Sequence, residues 1–379
     1  MKNPRALAVA PLFLLLALLA ASCIGSENPK GWAAPVFDGN SIFFLQAKDR
    51  LAAAPTSNIP NTTISWSFPD KNNPEHKDFK LQAVYGDPVI DGDRLYFSSY
   101  SGGVFALNKA DGRPAWRMSA DEIQGNVVAG VAVSGDLLAF GTTDGRLYLL
   151  NKADKSPAKG WPKAGISYSD GIWAAPVIKG DTIYVATMGG EVHALDVANA
   201  AERWSRPFRA PGAIAALSIL TDDTLFVPGL NKHVYLLNPA DGSVKGDFRA
   251  NDWVWTLPAF DKDRNLAYFG DFSGRLYALD ITTGKEAWSS PLDSARIKSA
   301  PVIVNNVLVV GDRKPVVHFL DLKDNGKRLN QVPLTSLGSI QAPIGVHDGA
   351  AYITTTSGKL LRADPTNYSV TEVTVGGRQ

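Results

Sequence analysis

Residues 274–288 read Gly-Arg-Leu-Tyr-Ala-Leu-Asp-Ile-Thr-Thr-Gly-Lys-Glu-Ala-Trp, and the same order of residues recurs along the chain. Residues 104–116 and 192–204 repeat it, the first with its Asn and the second with its Asp eight positions before the Trp. Looser copies extend the series of Asp or Asn anchors, which are spaced by 41–45 residues and fall at positions 108, 151, 196, 238, 280, 321 and 364. A self-similar period of this length is typical of repeat architectures such as propellers.

Each period is predicted to consist of strands. Segments 94–97, 182–185 and 265–269 are short, rich in β-branched or aromatic residues, and bounded by Gly, Asp or Asn. Asp144-Gly145 and Ser273-Gly274 predict tight hairpin turns with a positive φ at the glycine. Four antiparallel strands per period describe a propeller blade, whose apolar faces are covered only when blades stack around a ring.

A second recurring motif, the second anchor, gives the number of blades. It is Pro-Val or its equivalent, and it occurs at Pro35, Pro88, Val131, Pro176, Ser218, Pro258, Pro301 and Pro343. The sequence therefore predicts an all-β fold, a single propeller of eight four-stranded antiparallel blades, with seven blades as the alternative.

The copies resemble pyrroloquinoline-quinone-type repeats, which form the blades of quinoprotein dehydrogenases and of BamB-like outer membrane assembly lipoproteins. The best copy is residues 274–288, and weaker copies extend the resemblance over essentially the whole chain after its first segment. The Gly-His and Trp-Asp pairs of WD40 blades are missing. The resemblance implies the blade type and leaves the activity open, because one fold hosts many functions.

The first residues are typical of a secretory signal peptide. Lys2 and Arg5 give a positive start, residues 6–21 are apolar, and small residues precede Cys23, the only cysteine of the chain. The pattern resembles a bacterial lipoprotein signal, although Ala20 stands where that family usually has Leu, and it implies acylation of Cys23. Two alternatives remain: ordinary cleavage that leaves a spare thiol, and an uncleaved anchor, for which the apolar run is short.

The domain organisation follows from these two patterns. We predict a lipoprotein signal peptide at 1–22, a tether at 23–30 and the propeller at 31–379. The 379 residues include 38 basic and 37 acidic ones, and 45% are hydrophobic. This composition is ample for a large core, and the charge balance argues against nucleic acid as a partner, which would require a basic face. We expect the propeller to be a monomer.

Signatures of catalysis are missing from the sequence. It contains no nucleophile elbow, no zinc-protease helix motif, no dinucleotide fingerprint and no P-loop. His193 and His318 fall where other copies have Tyr, which predicts packing between blades. The segment 261–265 resembles the start of a calcium loop but lacks its later Gly and Glu, so a turn is the better interpretation.

The quinone cofactor of the resembling dehydrogenases is not expected. Those enzymes place adjacent cysteines beside the quinone and hold a calcium with carboxylate and amide groups, whereas Cys23 precedes the predicted propeller. The blade motif is structural in both branches of the resemblance and cannot argue for a cofactor. We therefore predict no cofactor, neither the quinone nor calcium.

The tryptophans divide into two groups. One group falls at the last strand of successive copies and predicts packing on the neighbouring blade: Trp66, Trp116, Trp161, Trp204 and Trp288. The other group lies three residues before the second anchor, where each innermost strand should begin near one mouth of the channel. These positions hold Trp32, Tyr85, Val128, Trp173, Ala215, Trp255, Lys298 and Ile340, with Trp253 nearby.

The aromatic members of the second group predict a rim at the axial mouth. One interpretation is a ligand or peptide site, and the other is packing that fills a wide channel. The candidate binding residues are Trp32, Tyr85, Trp173, Trp253, Trp255 and Lys298. An insertion around residues 69–78 should emerge at the same end of the propeller and could carry contacts.

These observations lead to one functional expectation with two alternatives. The leading expectation is a non-catalytic extracytoplasmic lipoprotein, anchored to the membrane, whose propeller binds envelope proteins. The resemblance implies a BamB-like role in assembling or organising envelope proteins, at the outer membrane if the source has one. The alternatives are a quinone-dependent dehydrogenase or its remnant, and a module that binds glycan or cell-wall material.

Overall fold

A computed structural model describes residues 31–46, 50–100, 103–292 and 296–377. These residues form eight four-stranded antiparallel sheets, each built from consecutive strands of the chain and arranged as the blades of a ring. The predicted all-β propeller is confirmed, with eight blades and not seven. The predicted signal peptide and Cys23 lie outside the described residues.

The first four blades share one order, in which the strands lie side by side as they follow in the chain. Blade 1 also has a short accessory strand, β4, which stands outside its sheet. The strands are β1 (Val36–Asp38), β2 (Ser41–Gln46), β3 (Arg50–Pro55), β4 (Asn61–Thr63) and β5 (Trp66–Phe68) in blade 1; β6 (Val89–Asp91), β7 (Arg94–Ser99), β8 (Gly103–Asn108) and β9 (Pro114–Met118) in blade 2; β10 (Ala132–Ser134), β11 (Leu137–Gly141), β12 (Arg146–Asn151) and β13 (Ile166–Ser167) in blade 3; and β14 (Val177–Lys179), β15 (Thr182–Ala186), β16 (Glu191–Asp196) and β17 (Phe208–Arg209) in blade 4.

The last four blades repeat this order, and a final accessory strand, β34, follows blade 8. The strands are β18 (Ser218–Thr221), β19 (Thr224–Pro228), β20 (His233–Leu237) and β21 (Val244–Arg249) in blade 5; β22 (Ala259–Asp261), β23 (Leu266–Gly270), β24 (Arg275–Asp280) and β25 (Lys285–Pro291) in blade 6; β26 (Val302–Val304), β27 (Val307–Gly311), β28 (Val316–Asp321) and β29 (Lys327–Pro333) in blade 7; and β30 (Gly345–His347), β31 (Ala350–Thr354), β32 (Leu360–Asp364), β33 (Ser369–Glu372) and β34 (Thr374–Gly376) at the end. Helical structure in the described ranges is confined to two 3-10 turns, Pro74–His76 and Ala120–Glu122, and no helix there is long and apolar enough to cross a membrane.

The recurring Leu-Tyr-Ala-Leu of the repeat is explained by alternation along the third strand of each blade. In β24, Leu276 and Ala278 pack with apolar residues of blade 7, whereas Tyr277 and Leu279 pack with those of blade 5. Successive side chains of a strand point to opposite faces, so one strand supplies both blade interfaces. All four of these residues are buried.

The outer tryptophans pack on the next blade, as predicted. The indole Nε1 of Trp66 donates to the carbonyl oxygen of Lys109 in blade 2, at 3.0 Å. The ring lies against Gly112, where a Cβ atom would stand 2.5 Å from Trp66 Cε3, and Gly112 has a φ of +73°. Glycine is therefore required there for both its backbone and its missing side chain.

The predicted strand positions of two of these tryptophans are wrong. Trp161 and Trp204 precede the short outer strands β13 and β17 instead of lying in them. Pro162 and Pro207 interrupt pairing at these edges, because proline has no N–H to donate. Both indoles still reach the next blade, with Trp204 Nε1 2.9 Å from the carbonyl oxygen of Pro239.

The ring closes without a covalent link between blades 8 and 1. The strand β34 pairs in parallel with β4, so that Thr374–Gly376 lie beside Asn61–Thr63. Beneath this pair, one apolar cluster joins Ile42 and Phe44 of blade 1 to Tyr352 and Val373 of blade 8. The seam is thus held by a short parallel ribbon over a shared core.

The positions considered for chemistry have structural partners. His318 is buried and its Nε2 lies 2.9 Å from Asp312 Oδ2, while the His193 ring lies 4.6 Å from that of Tyr168 in blade 3. Asp261 Oδ1 accepts the N–H groups of Asp263 and Arg264, which is a hairpin turn.

Candidate binding surface at the channel mouth

One end of the propeller carries both the turn between the second and third strands of each blade and the connection to the next blade. Antiparallel strands require this arrangement, since successive turns lie at alternate ends. The innermost strands contact their neighbours around the axis, for example β1 with β6 and β30. The connections that lead into these strands therefore surround the mouth of the channel.

A repeated backbone hydrogen bond fixes the geometry of this end. The N–H of Phe272, in the turn of blade 6, donates to the carbonyl oxygen of Trp253 at 3.0 Å. The N–H of Arg313, in the turn of blade 7, donates to that of Arg296 at 3.2 Å. The same bond recurs in every blade from 2 to 8. Each turn is thereby held against its connection.

A buried aliphatic residue orients the side chains on either side of it. In the connection to blade 7, Ile297 is buried and seated against Gly270 of blade 6, where no side chain would fit. Arg296 and Lys298 flank Ile297 and must face the mouth, because neighbours in an extended segment point in opposite directions. Arg296 is exposed and Lys298 is half-buried.

Three positions per blade thus build what we call the mouth surface. They are the two residues that flank the buried aliphatic position and the first residue of the turn. From blade 2 to blade 8 they are Ala83, Tyr85 and Tyr100; Asn126, Val128 and Thr143; Gly171, Trp173 and Met188; Ala213, Ala215 and Leu230; Trp253, Trp255 and Phe272; Arg296, Lys298 and Arg313; and Ser339, Gln341 and Thr356, with Trp32 contributed by blade 1. Among these residues Ala83 alone is buried and adds no exposed surface.

The structure brings four of the predicted rim residues together. The rings of Trp32 and Tyr85 have centroids 4.3 Å apart. The Lys298 ammonium lies 3.4 Å from the centroid of Trp32 and 4.8 Å from that of Trp255. A cation held between two indoles is a favourable arrangement that links blades 1, 6 and 7 across the mouth. Trp253 joins the group through Phe272, at 6.1 Å.

Two predicted positions behave differently. Trp173 is half-buried in blade 4 and makes no ring contact with this group within the described residues. Ile340, which the count from the second anchor reaches in blade 8, is buried in the wall of that blade and corresponds to Ile297. Pro301 directly precedes β26, whereas Pro343 stands two positions before β30, so Gln341 and not Ile340 takes the mouth position of blade 8.

Sequence reasoning missed the turn residues of the mouth surface. Phe272 stacks near Trp255, with centroids 6.1 Å apart and planes 20° apart, and the Arg296 guanidinium lies 5.7 Å over its ring. Tyr100 similarly lies 6.0 Å from Tyr85. A comparison of the repeats could have found these residues, because Phe272 and Tyr100 each stand directly before a Ser-Gly pair.

A carboxyl group ties the first two connections together. Asp87 Oδ1 accepts the N–H of Ala34 at 2.6 Å, which joins the segment carrying Trp32 to the one carrying Tyr85. Loss of hydration raises the pKa of Asp87 to about 6, and the hydrogen bond from Ala34 offsets only part of that rise.

Asp87→Asn is expected to stabilise the protein at neutral pH. A raised folded-state pKa means that the folded state binds the proton more tightly, so the free energy of unfolding falls as pH rises from about 4 to about 6. Asparagine keeps the acceptor for Ala34 and removes the charge, which should gain on the order of 1–3 kcal/mol at pH 8 and little at pH 4. Urea unfolding at the two pH values measures this, and equal effects at both would contradict it.

The insertion at residues 69–78 folds onto blade 2 at the same end. His76 is buried between Phe68 and Phe79, with centroids 5.1 and 6.1 Å away. The N–H of Asp70 donates to His76 Nδ1 at 3.0 Å, which requires that nitrogen to be unprotonated. Burial accordingly lowers the pKa of His76. The insertion is thus built as an ordered part of this face.

Comparisons with known proteins agree with this architecture. The family model described as outer membrane protein assembly factor BamB matches residues 30–161 and 158–371. BamB of Escherichia coli K12 is 29% identical over 350 residues, which cover 89% of this chain and 83% of BamB. BamB of Yersinia pestis is 24% identical over 324 residues, covering 83% of this chain and 80% of BamB.

A relative with a different name covers less of its own length. The serine/threonine-protein kinase AfsK of Streptomyces griseus is 32% identical over 292 residues, or 66% of this chain. The chain spans only 36% of that kinase.

Solved structures share the fold. BamB from Moraxella catarrhalis superposes with a TM-score of 0.68 at 17% identity, over 87% of this chain and 93% of its own. Sqt1 of Saccharomyces cerevisiae gives 0.71 at 11% identity, over 89% and 96%. At these identities the likeness concerns the propeller and not the activity.

Proposed function

This chain belongs to the family of outer membrane protein assembly factor BamB, and from that premise we propose that it is a non-catalytic scaffold that docks envelope proteins through its mouth surface. The observation that carries the proposal is the group formed by Trp32, Tyr85, Trp255 and Lys298, which is half-buried on a rigid frame. Aromatic side chains held in place bind partners at low entropic cost.

The proposed location is outside the cytoplasm, with the propeller tethered to a membrane by acylated Cys23. The relatives named for outer membrane protein assembly support an envelope setting, and the leader pattern supports the tether. Mass spectrometry of the mature N-terminus tests the tether. A diacylated or triacylated cysteine is expected, and an unmodified Cys23 would reject it.

The docking role is tested by crosslinking in the native host. A photoreactive amino acid replaces Trp173 at the mouth, and the same amino acid replaces Lys285, an exposed residue at the opposite end. We expect the mouth position to crosslink to envelope assembly proteins and position 285 to give none of those products. Identical products from both positions, or none from the mouth, would refute the proposal.

Trp255→Ala distinguishes binding from channel packing. Trp255 is half-buried, so its loss should remove about 1 kcal/mol of cation–π energy and leave thermal unfolding almost unchanged, while the crosslinks at the mouth decrease. The matched control is Trp204→Ala, a buried indole between blades that should cost about 3–5 kcal/mol. Unfolding by heat, followed by circular dichroism, measures both variants. If Trp255→Ala lowered the thermal stability as much as Trp204→Ala does, the interpretation as channel packing would be favoured.

The absence of a quinone cofactor remains a prediction. Adding pyrroloquinoline quinone and calcium to the purified chain should give no stoichiometric change in quinone absorbance and no dye-linked oxidation of alcohols or sugars. The physical reason is that the repeat residues that resemble quinoprotein blades, such as Leu276 and Tyr277, are buried between blades. Stoichiometric binding would instead support the dehydrogenase alternative.

A further inference from the structure

The mouth surface is divided by chemical type between adjacent blades. All three positions of blade 6 are aromatic: Trp253, Trp255 and Phe272. All three positions of blade 7 are cationic: Arg296, Lys298 and Arg313. None of the other described blades has three aromatic or three cationic residues at these positions: blade 5 has two alanines and a leucine, and blade 8 has a serine, a glutamine and a threonine.

The backbone fixes the positions from which the arginine side chains of blade 7 extend. Arg296 directly precedes the buried Ile297. The carbonyl oxygen of Arg296 accepts the N–H of Arg313, so a backbone hydrogen bond holds the two arginines side by side. Both arginines are exposed, as is Lys314 next to them. The Arg296 guanidinium also lies over Phe272 of blade 6, which joins the cationic and aromatic sets into one surface.

The nearby carboxylates in the described residues are occupied within the fold. Asp271 and Asp312 are buried in the turns of blades 6 and 7, where they accept hydrogen bonds from backbone N–H groups and from Tyr277 or His318. Asp252 is half-buried and lies 3.7 Å from Lys232. The charge that the described residues of this sector present outward is therefore positive.

We infer that this sector, the blade 6–7 patch (Trp253, Trp255, Phe272, Arg296 and Arg313), docks an acidic polypeptide segment that carries an apolar anchor. The inference rests on the proposed docking function and names the chemistry of the partner. Two exposed guanidinium groups suit carboxylates, which they bind in a bidentate manner, and the adjacent rings suit an aromatic or aliphatic side chain. The planar guanidinium fork is suited to this pairing, because it loses less entropy for each hydrogen bond formed than an ammonium group does.

The test uses fluorescence anisotropy with a labelled peptide in which Glu alternates with Phe, beside its counterpart with Gln for Glu. The wild-type chain should bind the Glu peptide and not the Gln peptide, with an affinity that falls as salt is added. Arg296→Glu with Arg313→Glu should weaken binding by at least about tenfold. Arg296→Gln with Arg313→Gln keeps the test valid if charge reversal disturbs folding, and it should weaken binding by a smaller factor.

The control reverses the same amount of charge at the opposite end. Lys285→Glu with Lys323→Glu changes two exposed lysines, one at the start of β25 and one in the turn before β29, and binding should be unchanged. Equal binding of both peptides, no binding, or an equal loss in this control would overturn the inference. Competition by phosphatidylglycerol vesicles, with the same dependence on the arginines, would assign the patch to lipid and also overturn it.

The outcome is separable from that of the proposed function. If the Glu peptide is not bound while the mouth still crosslinks to envelope proteins, the partner chemistry is wrong and the docking role stands. If the crosslinks also fail, the docking role itself is rejected.

Discussion

Val373→Asp should destabilise the propeller by about 3–5 kcal/mol, because it places an unpaired charge inside the seam that closes the ring. Val373 is 3% exposed and packs in the cluster shared by blades 8 and 1. Its N–H donates to the carbonyl oxygen of Leu360 at 2.8 Å, which holds it in place just before β34. The seven other interfaces join blades that are consecutive in the chain, whereas this one depends on packing, on the β4–β34 pair and on the buried hydrogen bond from Thr354 Oγ1 to the carbonyl oxygen of Ala33.

Urea unfolding measures the effect, and Thr374→Asp is the matched control. Thr374 is the next residue, is exposed and makes its closing hydrogen bond to Pro60 through the backbone, so the same charge there should cost less than about 0.5 kcal/mol. Native-state hydrogen exchange of Val373→Asp should accelerate first in blades 1 and 8. Similar unfolding of the two variants would show that the seam is not the weak point of the ring.

The blades were predictable from the sequence because their determinants are local. The alternation of Leu276, Tyr277, Ala278 and Leu279 and the turn at Ser273-Gly274 specify strand, register and covered faces within one repeat. The closure was not predictable in the same way. The residues of β4 and β34 belong to no repeat and pair across nearly the full described chain.

The mouth was predictable in part. Counting back from the second anchor located Trp255 and Lys298, because the short extended connections keep a constant length from blade to blade. In blade 8 the same count reaches Ile340 instead of Gln341, because Pro343 stands one position before Ile344, the residue that directly precedes β30. It did not find Phe272 or Arg296, because the count considers one position in each connection, whereas their proximity depends on hydrogen bonds between a turn and a connection.

Asp271→Ala should destabilise the protein by about 3–5 kcal/mol, because Asp271 connects the core of blade 6 to the mouth surface. Asp271 is 0% exposed. Its Oδ1 accepts the N–H groups of Ser273 and Arg275 at 2.9 and 3.1 Å, and its Oδ2 accepts the N–H of Asp252 at 3.0 Å and the hydroxyl of Tyr277 at 2.9 Å. Alanine leaves these buried donors without an acceptor, at roughly 1–3 kcal/mol for each one.

Two milder substitutions separate the turn from the mouth. Asp271→Asn keeps an oxygen for Ser273 and Arg275 but turns an amide donor toward the N–H of Asp252, so it should free the segment that carries Trp253 at a cost of about 1–3 kcal/mol. Asp271→Thr copies blade 3, where the hydroxyl of Thr142 accepts only the N–H of Arg146. Both should weaken capture of the Glu peptide, measured by anisotropy, at temperatures where circular dichroism shows the chain folded. Full retention of binding by Asp271→Asn would mean that Asp271 supports the turn alone and that the aromatic half of the patch is positioned by other contacts.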